Sequence, residues 1–169
     1  MHPLLQDPLG LTVQEWLANP RQTAANAETF DTRKFTKQQQ WSMNLSQHMD
    51  QQSWRLAAWF GQRDVGQYLG FDGIAPTSAG GVVDLSRPYQ GLDASYSWQF
   101  DTVRLSLGGA LEQSTDERRG YVNNQGVQGD LRRDEEGEVQ SADLYSRFVW
   151  DLDPEWQLSG GVRHSELDF

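Results

Sequence analysis

The stretch Gly91 to Leu111, GLDASYSWQFDTVRLSLGGAL, alternates apolar and polar residues on both sides of Asp101. Before that residue Leu92, Ala94, Tyr96, Trp98 and Phe100 interleave with Gly91, Asp93, Ser95, Ser97 and Gln99; after it Val103, Leu105, Leu107 and Leu111 share one parity, and Thr102, Arg104, Ser106 and Gly108 the other. Neighbouring side chains on a strand point to opposite faces, so a period of two predicts a hairpin with one apolar and one polar face.

The pattern recurs twice. In Gln39 to Phe60, Trp41, Met43, Leu45 and Met49 alternate with polar residues, and beyond Asp50-Gln51-Gln52 so do Trp54, Leu56, Ala58 and Phe60, with Trp59 as the exception. In Ser141 to His164, Ala142, Leu144, Phe148, Trp150 and Leu152 precede Asp153-Pro154-Glu155, and Trp156, Leu158, Gly160 and Val162 follow it. Three hairpins, 39–69, 89–114 and 139–169, predict an all-β, antiparallel up-and-down meander of about six long strands. The short turns alternate with long connections at Gly70–Pro88 and Gln113–Glu138, and Trp54, Trp98, Phe100, Trp150 and Trp156 cluster near the short turns on the apolar parity. Loops sorted in this way, with aromatic residues near one end and runs at least as long as the roughly 9 to 11 residues that cross a bilayer, are expected of part of a transmembrane β-barrel. Residues 1–37, broken by Pro3, Pro8 and Pro20, read as an extracellular-type loop with one short helix, because Thr12-Val13-Gln14-Glu15 is a capping-box pattern. Residues 38–169 form the partial barrel.

A net charge of −10 argues against a nucleic-acid partner, since phosphate binding needs a concentrated positive surface. The absence of cysteine removes disulfide frameworks and thiolate metal sites. No apolar run reaches a helical span, and MHPLLQDPLG lacks the pattern of a signal peptide, so any membrane role falls to strands.

Asp31-Thr32-Arg33-Lys34, Gly61-Gln62-Arg63-Asp64-Val65-Gly66-Gln67-Tyr68-Leu69, Gly80-Gly81-Val82-Val83-Asp84-Leu85-Ser86-Arg87, Arg119-Gly120-Tyr121 and Gly160-Gly161-Val162-Arg163-His164-Ser165, in that order and against the hairpin pattern, resemble the barrel of TonB-dependent outer-membrane receptors. The resemblance spans nearly the whole chain and is nearest to the ferric-citrate and pyrroloquinoline-quinone receptor-like branch. It implies a transporter in the bacterial outer membrane that takes up a small chelate such as a ferric siderophore, with lipid around it and a TonB complex acting through a plug domain. The plug, the TonB box and the signal peptide of such receptors have no counterpart here, and six strands are fewer than the eight of the smallest single-chain barrels, which points to a piece of a larger reading frame. The alternative is a soluble or surface β-sheet binding module, such as a carbohydrate-binding-like sandwich.

Candidate chemistry is sparse. His2, His48 and His164 are far apart and show no metal-ligand spacing, so neither a metal site nor a cofactor is expected. His164 and Ser165 are adjacent and so would face opposite ways on a strand, which argues against a hydrolase and against an enzyme generally. The acidic run Asp130 to Glu138 lacks the fixed spacing of a calcium loop. Arg118, Arg119, Arg132 and Arg133 remain as candidate ligand-binding residues, because guanidinium groups hold carboxylates through two parallel hydrogen bonds.

Overall fold

The computed structural model describes residues 4–169, so His2 lies outside the described residues. The chain is an all-β antiparallel meander with 7% helix. Its strands are β1 (Leu4–Gln6), β2 (Arg33–Met49), β3 (Gln52–Tyr68), β4 (Val82–Phe100), β5 (Val103–Asn124), β6 (Val127–Asp151) and β7 (Gln157–Asp168), joined in the order β1-β2-β3-β4-β5-β6-β7. The sheet is not closed; β1 and β7 are its two ends. Helices α1 (Val13–Ala18) and α2 (Ala25–Thr29) lie between β1 and β2. The capping box forms as the sequence predicts: Thr12 Oγ1 accepts from the Glu15 N–H at 3.3 Å, and Glu15 Oε2 accepts from the Thr12 N–H at 2.8 Å.

Three expectations are corrected. The segment 1–37 is not simply a loop with one helix, because it contains β1 and α2 and β2 already starts at Arg33. Gln113–Glu138 is not a long connection either. β5 continues to Asn124 and β6 starts at Val127, so Gln125 (φ 50) and Gly126 (φ 90) make a two-residue hairpin turn with both central residues left-handed. Polar residues at both parities hide a strand from a search for alternating hydrophobicity, and this arm is polar on both faces. The β3–β4 connection is also shorter than expected, because Pro88 lies inside β4.

Contacts divide the chain into two units, and β2 to β6 each contribute to both. Unit 1 is Met1–Gln39, Gln62–Arg87 and Asp116–Gly137; unit 2 is Gln40–Gly61, Pro88–Thr115 and Glu138–Phe169. In unit 2 the register of β6 on β7 sets Phe148 opposite Gly160 and Trp150 opposite Leu158, while Asp143 meets Ser165, Tyr145 meets Arg163 and Arg147 meets Gly161. Side chains opposite one another share a face. Tyr145 Oη donates to Asp93 at 2.9 Å and packs on Gly108, Ser97 and Ser106 bond at 2.8 Å, and Leu144 approaches Gly109. One face therefore carries Asp93, Arg104, Asp143, Arg147 and Arg163, and the other Trp98, Leu105, Phe148 and Leu158, as the alternation predicts.

Burial in unit 2 inverts the usual order. Trp41 is 72% exposed, Phe60 61% and Val162 74%, all on the apolar parity, whereas the buried Ala57 and Val149 lie on the polar one. Trp59 breaks the alternation because its indole covers Gly91 on the polar face.

Unit 1 is organised around Asn123, which is 1% exposed. Its Nδ2 donates to the carbonyls of Phe30 (3.1 Å) and Leu69 (2.9 Å), its Oδ1 accepts from the Gly126 N–H (2.7 Å), and its own N–H donates to the Asp72 carbonyl (2.8 Å). The 69–81 connection reaches the same hairpin through Gly81 N–H to Tyr121 carbonyl, at 2.8 Å, and Gly80 (φ 113) lies against the Tyr121 backbone where a side chain would clash. Arg33 places its guanidinium 3.5 Å above the Tyr68 ring and donates to the Gly126 carbonyl at 3.0 Å. Asn123→Ala strands two carbonyls and one N–H, each costing about 1–3 kcal/mol when buried without a partner. The expected loss is at least about 3 kcal/mol in denaturant unfolding; a loss under about 1 kcal/mol would contradict this account of unit 1.

Candidate functional site

The longest polar arms of the sheet are in unit 1, and the register across them decides which charges meet. Trp59 covers Gly91, Ser86 Oγ donates to Asp64 at 3.1 Å, and the Gln99 N–H reaches the Gln51 carbonyl at 2.7 Å. These contacts fix β3 against β4 and set Arg63 directly across from Arg87. On the next strand Arg87 forms a two-pronged ion pair with Asp116, Nε to Oδ1 and Nη2 to Oδ2. Beyond the Gln125–Gly126 turn the Arg133 Cβ lies against Gly120, two residues along β5 from Arg118 and on the same face, which leaves Arg118 opposite Glu135. Arg133 pairs with Glu135, while its Nε is buried and has no partner among the described residues. One face of four neighbouring strands thus gathers Arg63, Arg87, Arg118 and Arg133 around two acids, Asp116 and Glu135. Arg63 and Arg118 are exposed and carry no ion pair or hydrogen bond among the described residues.

The four arginines singled out in the sequence are not all brought together. Arg118 and Arg119 are consecutive on β5, and Arg132 and Arg133 on β6, so each couple straddles the sheet. Arg119 pairs with Asp134 at 3.3 Å, and Arg132 donates to the Ala75 carbonyl at 3.1 Å. Arg63 and Arg87 were missed as site residues. Their polar parity on β3 and β4 was legible, but which residues they face depends on register, and register rests on tertiary contacts.

In unit 2 the polar face holds a cavity of about 560 Å³ lined by residues that include Arg55, Trp59, Asp93, Glu112, Tyr145 and Arg163. Arg163 grips Asp143 through two nitrogens, and Ser165 Oγ donates to the same carboxylate. On this polar wall Arg163 and Asp143 form an ion pair, while Arg55 and Arg104 donate to the neutral side chains of Asn44 and Gln99. A larger cavity of about 840 Å³ is lined among others by Trp41, Met43, Phe60, Leu92 and Leu111, residues of the exposed apolar parity. His164 and Ser165 fall on opposite faces, since they pair with Leu144 and Asp143 respectively. Among the described residues, no three His, Asp or Glu side chains gather in a way that could hold a metal ion.

No protein-family model matches the sequence.

Hydrogen bonds from Arg87 hold the Asp116 carboxyl below the usual carboxylate range; burial opposes this, and the charges of Arg87 and Arg118 reinforce it. A depressed carboxylate pKa contributes stability that is fully present above the unfolded value, about 3.9, and is lost as pH falls through the lower folded value. The side chains are 42% and 32% exposed, so the contribution is expected to be under about 1 kcal/mol. Asp116→Asn should lower the melting temperature by a constant amount between about pH 5 and 8, and the difference should vanish in strong acid. A difference that persists in acid strong enough to protonate Asp116, where Asp and Asn at this position are both uncharged, would contradict the ion-pair account.

Proposed function

We propose that this chain forms part of the wall of an outer-membrane transport barrel of the TonB-dependent receptor type, taking up a small chelate such as a ferric siderophore. The observation that carries the reading is the inverted burial of unit 2. Each fully exposed large apolar side chain forgoes about 1.5–3 kcal/mol of burial, and a face presenting Trp41, Phe60, Leu92, Leu111, Leu144 and Val162 together needs an apolar cover. Lipid supplies that cover along the unit 2 stretches of the strands, and their polar parity then faces an aqueous lumen. Strands of 17 to 25 residues from β2 to β6 exceed the roughly 9 to 11 needed to cross the hydrocarbon. Residues 40–61, 88–115 and 138–169 are read as crossing it, and 62–87 and 116–137 as standing in water.

The tight turns at Asp50, Asp101 and Asp153 then lie on the periplasmic side, and the Gln125–Gly126 hairpin lies outside the cell. Asp101 takes the left-handed backbone (φ 47) that such a turn requires, and Asp153 Oδ1 accepts from the N–H groups of Glu155 (2.8 Å) and Trp156 (2.9 Å). Energised opening requires a plug and the TonB complex, whose contacts belong to the whole receptor.

Since the chain has no cysteine, single-cysteine variants label cleanly. Spin labels at positions 105, 107 and 148 in membranes should collide preferentially with oxygen, which partitions into lipid. Labels at 106 and 147 should favour a water-soluble nickel reagent. Equal access of the water-soluble reagent to both parities would replace this reading with that of a soluble binding module.

A further inference from the structure

We infer that Arg63, Arg87, Arg118 and Arg133 form a binding site for a compact multivalent oxyanion, a polycarboxylate or a phosphate. Two like charges directly across a sheet repel one another, and Arg63 and Arg87 occupy such positions. Asp116 neutralises Arg87 and Glu135 neutralises Arg133, which leaves the Arg63 and Arg118 guanidinium groups without ion pairs on the same face. β3 and β5 are two strand spacings apart, about 10 Å, a gap that two arginine side chains close around a single small anion. The Arg133 Nε–H, buried and without a protein acceptor, supplies an orphaned donor beside them. Guanidinium forks match planar carboxylate and phosphate oxygens, and several such contacts to one ligand select multivalent anions over monovalent ones.

On the opposite face of the same arms the cations are differently engaged: Arg119 pairs with Asp134, and Arg132 is held by the Ala75 carbonyl. The two faces therefore offer an internal control. As the substrate class of a transporter the inference rests on the reading given above; as an anion site it stands on the register and the unpaired charges alone.

The test is calorimetric titration of the intact protein in micelles with citrate and with orthophosphate at fixed ionic strength, with acetate as the monovalent control. Saturable binding of citrate or phosphate, at least about tenfold tighter than acetate, is expected, and the preferred anion identifies the ligand chemistry. Arg63→Gln and Arg118→Gln should each weaken it by about tenfold or more, as loss of a charge-assisted contact implies. Arg119→Gln should change it by less than about twofold. Arg63 and Arg118 have no ion pair or hydrogen bond to lose, so their variants are expected to fold, and near-ultraviolet circular dichroism checks this. Absence of saturable binding of both anions, or equal losses from variants on both faces, would overturn the site. If the spin labels report lipid but neither anion binds, only the anion site fails; if an anion binds but the labels show water on both parities, the site stands and the transporter reading fails.

Discussion

Alternation of side chains along an uninterrupted strand is the constraint on which the rest of this protein depends. A one-residue slip anywhere in β6 would carry Arg147 to the face of Phe148, and the pairing of β6 with β7 shows no slip from Gln140 to Asp151. The same parity continues into the polar arms, where it places Arg87 with Asp116 and separates Arg118 from Arg119. One local rule thus sorts both the apolar stripe and the arginines.

Residues differ in how much of this the sequence discloses. Leu92 through Phe100 and Val103 through Leu111 are legible because hydrophobicity marks the parity directly, and Asp101 marks the turn. Between Gln113 and Glu138 the marking disappears, since Asp116, Glu117, Arg118 and Arg119 are all charged, and the strand is held by its backbone ladder rather than by an apolar face. The Asn-Gln-Gly sequence at 124–126 is the available signal for a turn there, and it lies within a run too polar to show strands on either side of it. The Arg63–Arg87 juxtaposition was beyond reach, because it depends on how two strands slide past one another.

Glycine at three close approaches supports the same arrangement. Gly91 receives the Trp59 ring, Gly160 the Phe148 ring and Gly66 the Phe35 ring, so each large side chain lies across a strand that offers no Cβ in return. Trp59 is the informative case. It violates the alternation in the sequence, and the structure shows why it is tolerated: the neighbouring strand has a vacancy shaped for it.

The way β2 begins has a consequence for how the molecule assembles. Every strand pairs with its neighbour in sequence, so the ladders join nearby parts of the chain and can form hairpin by hairpin. Phe30 and Arg33 are different, since each bonds to a residue 93 positions away, at Asn123 and Gly126 respectively. Those contacts close a loop whose entropy must be overcome before they contribute, and the partner they close onto is a finished turn. Loop-closure entropy thus favours the start of β2 becoming rigid after the hairpin it bonds to.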